Sequence, residues 1–116
     1  MPKSAELSIR VLRTDDACVA HLQVSGELDI SNSTALGTEL RRAERRGASI
    51  VVLDLAGLHF MDVSGLRAIL DAARRARRDG RKLVVANPLP SIVRLFELTA
   101  IDQSLDMMAG PVAAIT

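Results

Sequence analysis

A mixed α/β sheet in one domain is the fold class this sequence predicts, and three observations predict it. Apolar residues alternate at period two near the N-terminus, and two nearly continuous apolar, β-branched runs come later. Between and after those runs lie three stretches with apolar residues at helical spacing. Glycines close the first two helical stretches, and a proline opens the third. Strands alternating with helices in this way imply right-handed crossovers between parallel strands after an N-terminal hairpin, in the order β-β-α-β-α-β-α-(β) with four to five strands.

The elements follow in order. Leu7, Ile9 and Val11 alternate with polar residues, "TDDA" (14–17) supplies turn chemistry, and Ala20, Leu22 and Val24 alternate again, so a hairpin is predicted. "SGELDISNS" (25–33) reads as a loop with candidate helix caps at Asp29, Ser31 and Ser33. Leu36, Leu40 and Ala43 form the stripe of the first helix; Arg41, Arg42, Arg45 and Arg46 crowd its last turns, and Gly47 ends it. "SIVVLDL" (49–55) reads as a strand covered on both faces. Leu66, Ile69, Leu70 and Ala73 mark a helix over 64–79, stopped at Gly80. "KLVVA" (82–86) is a further buried strand, and "PSIVRLFELTAI" (90–101) is a helix with Ile92, Leu95, Phe96 and Leu98 at its spacing. Leu105, Met107 and Met108 suggest a last short strand before a small apolar tail.

Composition narrows the functional classes. An apolar fraction of 48% and a charged fraction of 25% are those of an ordinary globular protein, and 116 residues are enough for a core without metals or disulfides. The single cysteine, Cys18, and the lack of a secretion signal in "MPKSAELS" fit a reducing cytoplasm. The longest apolar run, "IVVLDLAGLHFM", carries Asp54 and His59, so membrane insertion is not expected. Only Phe60 and Phe96 are aromatic, which leaves no stacking platform for single-stranded nucleic acid. Arginine supplies thirteen of fifteen basic residues, mostly in "RRAERR" and "RRARRDGRK". Both runs end helices and the net charge is only +1, so they fit an acidic protein partner better than direct nucleic-acid binding.

Sites of chemistry are sparse. His21 and His59 lack Cys, His or carboxylate partners at metal-ligand spacing, so no metal, cofactor or catalytic set is expected. Asp54 interrupts an apolar strand and calls for hydrogen-bond donors, most simply loop amides at a strand end. The stretch "FMDVSGLRAIL" (60–70) sets Ser64 at a strand–turn–helix junction. It is not a nucleophile elbow, because Asp62 and Leu66 stand where that motif has glycines. It is not a phosphate loop either, having one glycine and no lysine. Asp62 or Ser64 capping a helix and Gly65 allowing close packing account for the pattern locally.

"GELD" (26–29), "VLDL" (52–55), "FMDVSGL" (60–66), "KLVVA" (82–86) and "VRLFELTAI" (93–101), taken together and in order, resemble the STAS domain of bacterial anti-sigma factor antagonists. The resemblance covers about 6–108 and implies one STAS-like domain across 1–116. It implies a binding protein, not an enzyme. Such antagonists hold an anti-sigma factor, usually a serine kinase with a histidine-kinase-like ATPase fold, and so release a sigma factor for transcription. The kinase phosphorylates a Ser or Thr before the second helix and the complex parts.

Carried onto this chain, the partner-binding residues are Asp29, Ser31, Asp62, Val63, Ser64 and Gly65, and the interface is expected on loops 25–33 and 58–66 and the exposed face of helix 64–79. The family's phosphoacceptor directly follows the aspartate, and here that position is Val63. Two outcomes follow: Ser64 takes the phosphate one residue late, or phosphorylation does not set binding. The second is favoured, because a kinase selects one placed hydroxyl and valine has none. The expected molecule is a monomer or weak homodimer in the cytoplasm. A STAS scaffold subunit of a stressosome-like or lipid-transporter complex is the alternative.

Overall fold

The computed structural model describes residues 6–13, 18–98 and 106–108. Five strands form one mixed sheet in the order β1 (Ser8–Arg13), β2 (Val19–Leu28), β3 (Ile50–Met61), β4 (Lys82–Ala86) and β5 (Asp106–Met108). β1 pairs antiparallel with β2, and every later pairing is parallel. The crossovers are α1 (Ser33–Arg45), α2 (Val63–Arg78) and α3 (Pro90–Leu98). This is the predicted α/β order, with the bracketed last strand present. The "TDDA" turn, residues 99–101, Leu105 and the tail lie outside the described residues.

The main core explains why the helical stripes have their spacing. Leu36, Leu40 and Ala43 of α1, Leu66, Ile69, Ala72, Ala73 and Ala76 of α2, and Ile92 and Phe96 of α3 join the inward residues of β2, β3 and β4 in one buried cluster. Burying each large aliphatic side chain contributes about 1.5–3 kcal/mol. The strands' other face carries a smaller cluster of Val19, Val52, Val84 and Ala86. That is why β3 and β4 read as continuous apolar runs. Three helical assignments shift. Leu70 of α2 is only partly buried and is not in the core cluster. Leu95 is only partly buried and Leu98 is 77% exposed, because the buried stripe of α3 is Ile92 and Phe96.

Both expected loops are shorter than the sequence suggests. β2 runs through Ser25–Leu28 and β3 through 56–61, so His59 lies on a strand and only 29–32 and Asp62 connect strand to helix. The strands lengthen because they pair with each other: Gly26 with Leu58, Glu27 with Phe60, Leu28 with Met61, across two register shifts. Backbone hydrogen bonds carry that pairing, so it tolerates polar side chains. Gly26 is required there. Its φ is +96°, and a Cβ would stand 2.0 Å from the Glu6 carbonyl oxygen.

Asp54 differs from expectation in the same way. It lies inside β3, and its Oδ1 accepts the amide of Ala56 at 3.1 Å, within the register shift and not in a terminal loop. Its Oδ2 stands 3.8 Å from His21 Nε2, which makes no hydrogen bond.

Candidate functional site

The carboxyl ends of β2 and β3 are neighbours, so the segments leaving them toward α1 and α2 lie side by side. The Asp62 amide donates to the Leu28 carbonyl at 3.1 Å and ties the two together. This is the end of a parallel sheet where binding residues gather, because helix N-termini and connecting loops meet there.

The 29–32 turn is built from short polar side chains. Asp29 Oδ1 accepts the amide of Ser31 at 2.9 Å and also the Ser31 hydroxyl. Asn32 Oδ1 accepts the Asp29 amide at 2.9 Å, while its Nδ2 donates to the Glu27 carbonyl at 2.9 Å. None of the three expected side-chain caps closes α1. Asn32 holds the N-cap position, and its side chain is turned back into the turn. The Asp29 carbonyl instead takes the amides of Asn32 and Ser33. With its polar atoms paired inward, the turn leaves Ile30 80% exposed.

At the second junction Asp62 is the cap and Ser64 is not. Asp62 has extended backbone geometry, and its Oδ1 accepts the amides of Ser64 at 2.9 Å and Gly65 at 3.2 Å. Val63 therefore occupies the first helical position and is 67% exposed. Gly65 lets α2 press against the sheet: a Cβ there would meet Leu28 Cγ at 2.6 Å and Met61 Cγ at 2.8 Å. Phe60, one residue before the last of β3, is 50% exposed.

The structure thus brings Asp29, Ser31, Asp62, Val63, Ser64 and Gly65 to one end of the sheet. Sequence reasoning missed Ile30 and Phe60. Ile30 had a signal, a large aliphatic residue inside a polar turn; Phe60 was hidden in an apolar run. Three exposed apolar residues (Ile30, Phe60 and Val63) on a framework of satisfied polar groups make a surface suited to protein contact. Among the described residues no cluster of His, Cys, Asp or Glu could hold a metal ion, and no helix is long and apolar enough to cross a membrane.

The family model described as STAS domain matches residues 8–113, and the chain belongs to that family. Among named relatives, the "Anti-sigma F factor antagonist" of Paenibacillus polymyxa is 30% identical over 96 residues, 82% of each chain. The "Anti-sigma-B factor antagonist" of Bacillus subtilis is 24% identical over 76% of this chain and 80% of its own. Among solved structures, the anti-sigma factor antagonist SpoIIAA in its unphosphorylated form superimposes with a TM-score of 0.77 at 17% identity, covering 93% of this chain and 94% of that one. An anti-sigma factor antagonist from Mycobacterium paratuberculosis gives 0.80 at 20% identity, covering 94% and 90%.

Proposed function

We propose that this chain is an anti-sigma factor antagonist that works by protein contact and is not switched by phosphorylation at the start of α2. The partner is an anti-sigma factor of the serine-kinase type with a histidine-kinase-like ATPase fold. Its capture in the cytoplasm frees a sigma factor for transcription. The whole chain acts as one STAS unit, and its contact surface is the end bearing Asp29, Ile30, Ser31, Phe60, Val63 and Ser64. The names of the relatives support the class of function.

One observation carries the unswitched reading. The exposed first residue of α2, where the family resemblance puts the phosphoacceptor, is the aliphatic Val63. The neighbouring hydroxyl of Ser64 is a poor substitute. It lies one residue further into α2 than the position that the family resemblance gives to the phosphoacceptor, and a kinase selects one placed hydroxyl.

The test mixes the protein with a serine-kinase anti-sigma factor and ATP, then reads intact mass and complex size. The expected result is an unmodified protein that stays bound, while Val63→Ser gains a phosphate and is released. A stoichiometric phosphate on Ser64 overturns the unswitched reading. Val63→Asp or Ile30→Asp should weaken binding about tenfold or more, the effect of losing a central interface contact. Unchanged affinity in both variants removes this end as the interface. Affinity capture that returns a stressosome-like or lipid-transporter assembly in place of an anti-sigma factor supports the scaffold alternative.

A further inference from the structure

The opposite end of α1 and α2 holds a feature that partner binding leaves unused. Arg41, Glu44, Arg45, Arg75, Asp79 and Arg81 line a cleft of about 260 Å³ between the two helix C-termini. Four arginines and two carboxylates line it, an excess of two positive charges, with the Arg41 guanidinium lying back along α1, its Nη1 3.5 Å from where a Cβ on Gly37 would stand.

Both carboxylates are engaged. Glu44 accepts two hydrogen bonds from Arg75, at 2.8 and 2.9 Å. Asp79 accepts two from Arg78, at 2.9 and 3.2 Å, and Arg78 holds its carboxyl below the ordinary value. Among the described residues no ion pair includes Arg41, Arg45 or Arg81. Arg81 Nη1 is buried and has no hydrogen-bond partner.

Helix termination does not account for this arrangement. Cations suit the last turn of a helix, but Arg81 stands beyond the end of α2 at Arg78. Several carbonyls of the last turns are also spent. Those of Arg42, Ala43 and Glu44 accept backbone amides, as do those of Arg75 and Ala76. A buried guanidinium hydrogen without an acceptor is costly, and the planar fork of an arginine matches the oxygens of a phosphate.

We propose that this cleft binds a compact, multiply charged phosphoanion of the pyrophosphate type. Its volume lies just below the usual range for small-molecule sites, which suits a phosphate group and not a whole nucleotide. No ring is at hand to stack a base: Phe96 is fully buried, and Phe60 lies at the other end of the sheet. An acidic protein segment would need an extended track, whereas these residues line one small cleft.

The test is calorimetric titration of the full chain with sodium pyrophosphate in low salt, with tetraglutamate and chloride as parallel probes. The expected result is saturable binding of one pyrophosphate, weakened about tenfold or more in Arg45→Gln and Arg81→Gln, the weight of one charge-assisted hydrogen bond each. Arg74→Gln and Arg77→Gln, on exposed positions outside the cleft, should leave affinity nearly unchanged. Absence of saturable binding overturns the proposal, as does equal weakening by all four variants, which describes a diffuse basic surface. Tighter binding of tetraglutamate than of pyrophosphate also overturns it and assigns the cleft to an acidic protein. None of these readings requires the anti-sigma factor.

Discussion

Gly65→Ala tests whether the contact surface is held in place by close packing of α2 on the sheet. The added Cβ would lie 2.6 Å from both Cγ and Cδ2 of Leu28 and 2.8 Å from Met61 Cγ, all inside van der Waals distance. Leu28 is fully buried and Met61 is 3% exposed, so neither side chain can swing into solvent. Overpacking a core by one such group costs about 1–3 kcal/mol. Alanine recovers up to about 1 kcal/mol of helix propensity, less in the first turn. The net expectation is a loss of about 1–2 kcal/mol, or roughly 4–10 °C in Tm for a domain of this size. Urea denaturation followed by circular dichroism should show a lower midpoint with unchanged slope. Relief of the clash also has to move the start of α2 outward, carrying Val63 with it, so partner affinity should fall in the folded variant. A Gly65→Ala protein as stable as the parent would refute the close approach.

Two further perturbations probe the same framework. Asp62→Ala removes the acceptor for two amides and should destabilise by about 1 kcal/mol, read by the same denaturation; an unchanged midpoint would mean that Asp62 does not cap α2. Glu44→Gln breaks a bidentate pair whose side chains are only 18% and 16% exposed, and should cost about 1–2 kcal/mol, well above an exposed pair. Thermal denaturation should show this loss even in moderate salt, and its disappearance in salt would make the pair a surface one.

How far the sequence reveals this molecule depends on whether a feature is local. The stripe of α1, most of that of α2 and the stops at Gly47 and Gly80 are set by residues within a turn of one another and are found as expected; of the two candidate caps of α2, Asp62 and Ser64, the structure takes Asp62. The extension of β2 through Ser25–Leu28 and of β3 to Met61 is not local. It comes from parallel pairing between segments about thirty residues apart, across register shifts that no periodicity announces. The same non-local pairing places Phe60, which the sequence assigns to a 58–66 loop, on a strand with half of its surface exposed. For the site, the aspartates, Val63 and Gly65 were visible as a motif. The turning back of Asn32 and the exposure of Ile30 follow from a hydrogen-bond network that several sequences of this composition could make differently. The arginine runs were equally visible as helix ends. The spending of Glu44 on Arg75, which leaves the cleft positive, is a contact between residues 31 apart.

The two proposed surfaces stand at opposite ends of α2, and that separation sets how they can influence each other. Sixteen helical residues from Val63 to Arg78 span roughly 24 Å. At physiological ionic strength the screening length is about 8 Å, so charge neutralised at the arginine cleft is nearly invisible at Val63. Steric competition is absent at that distance. Any coupling would have to be mechanical, and α2 is held along its length by Leu66, Ile69, Ala72, Ala73 and Ala76 in the core, which opposes its movement as a lever. Saturating pyrophosphate should therefore leave affinity for the anti-sigma factor unchanged in 0.15 M salt. In 0.01 M salt, where the screening length rises to about 30 Å, a small electrostatic effect should appear. A severalfold change in affinity at physiological salt would refute the rigid view of α2 and identify the helix as the element linking the two ends.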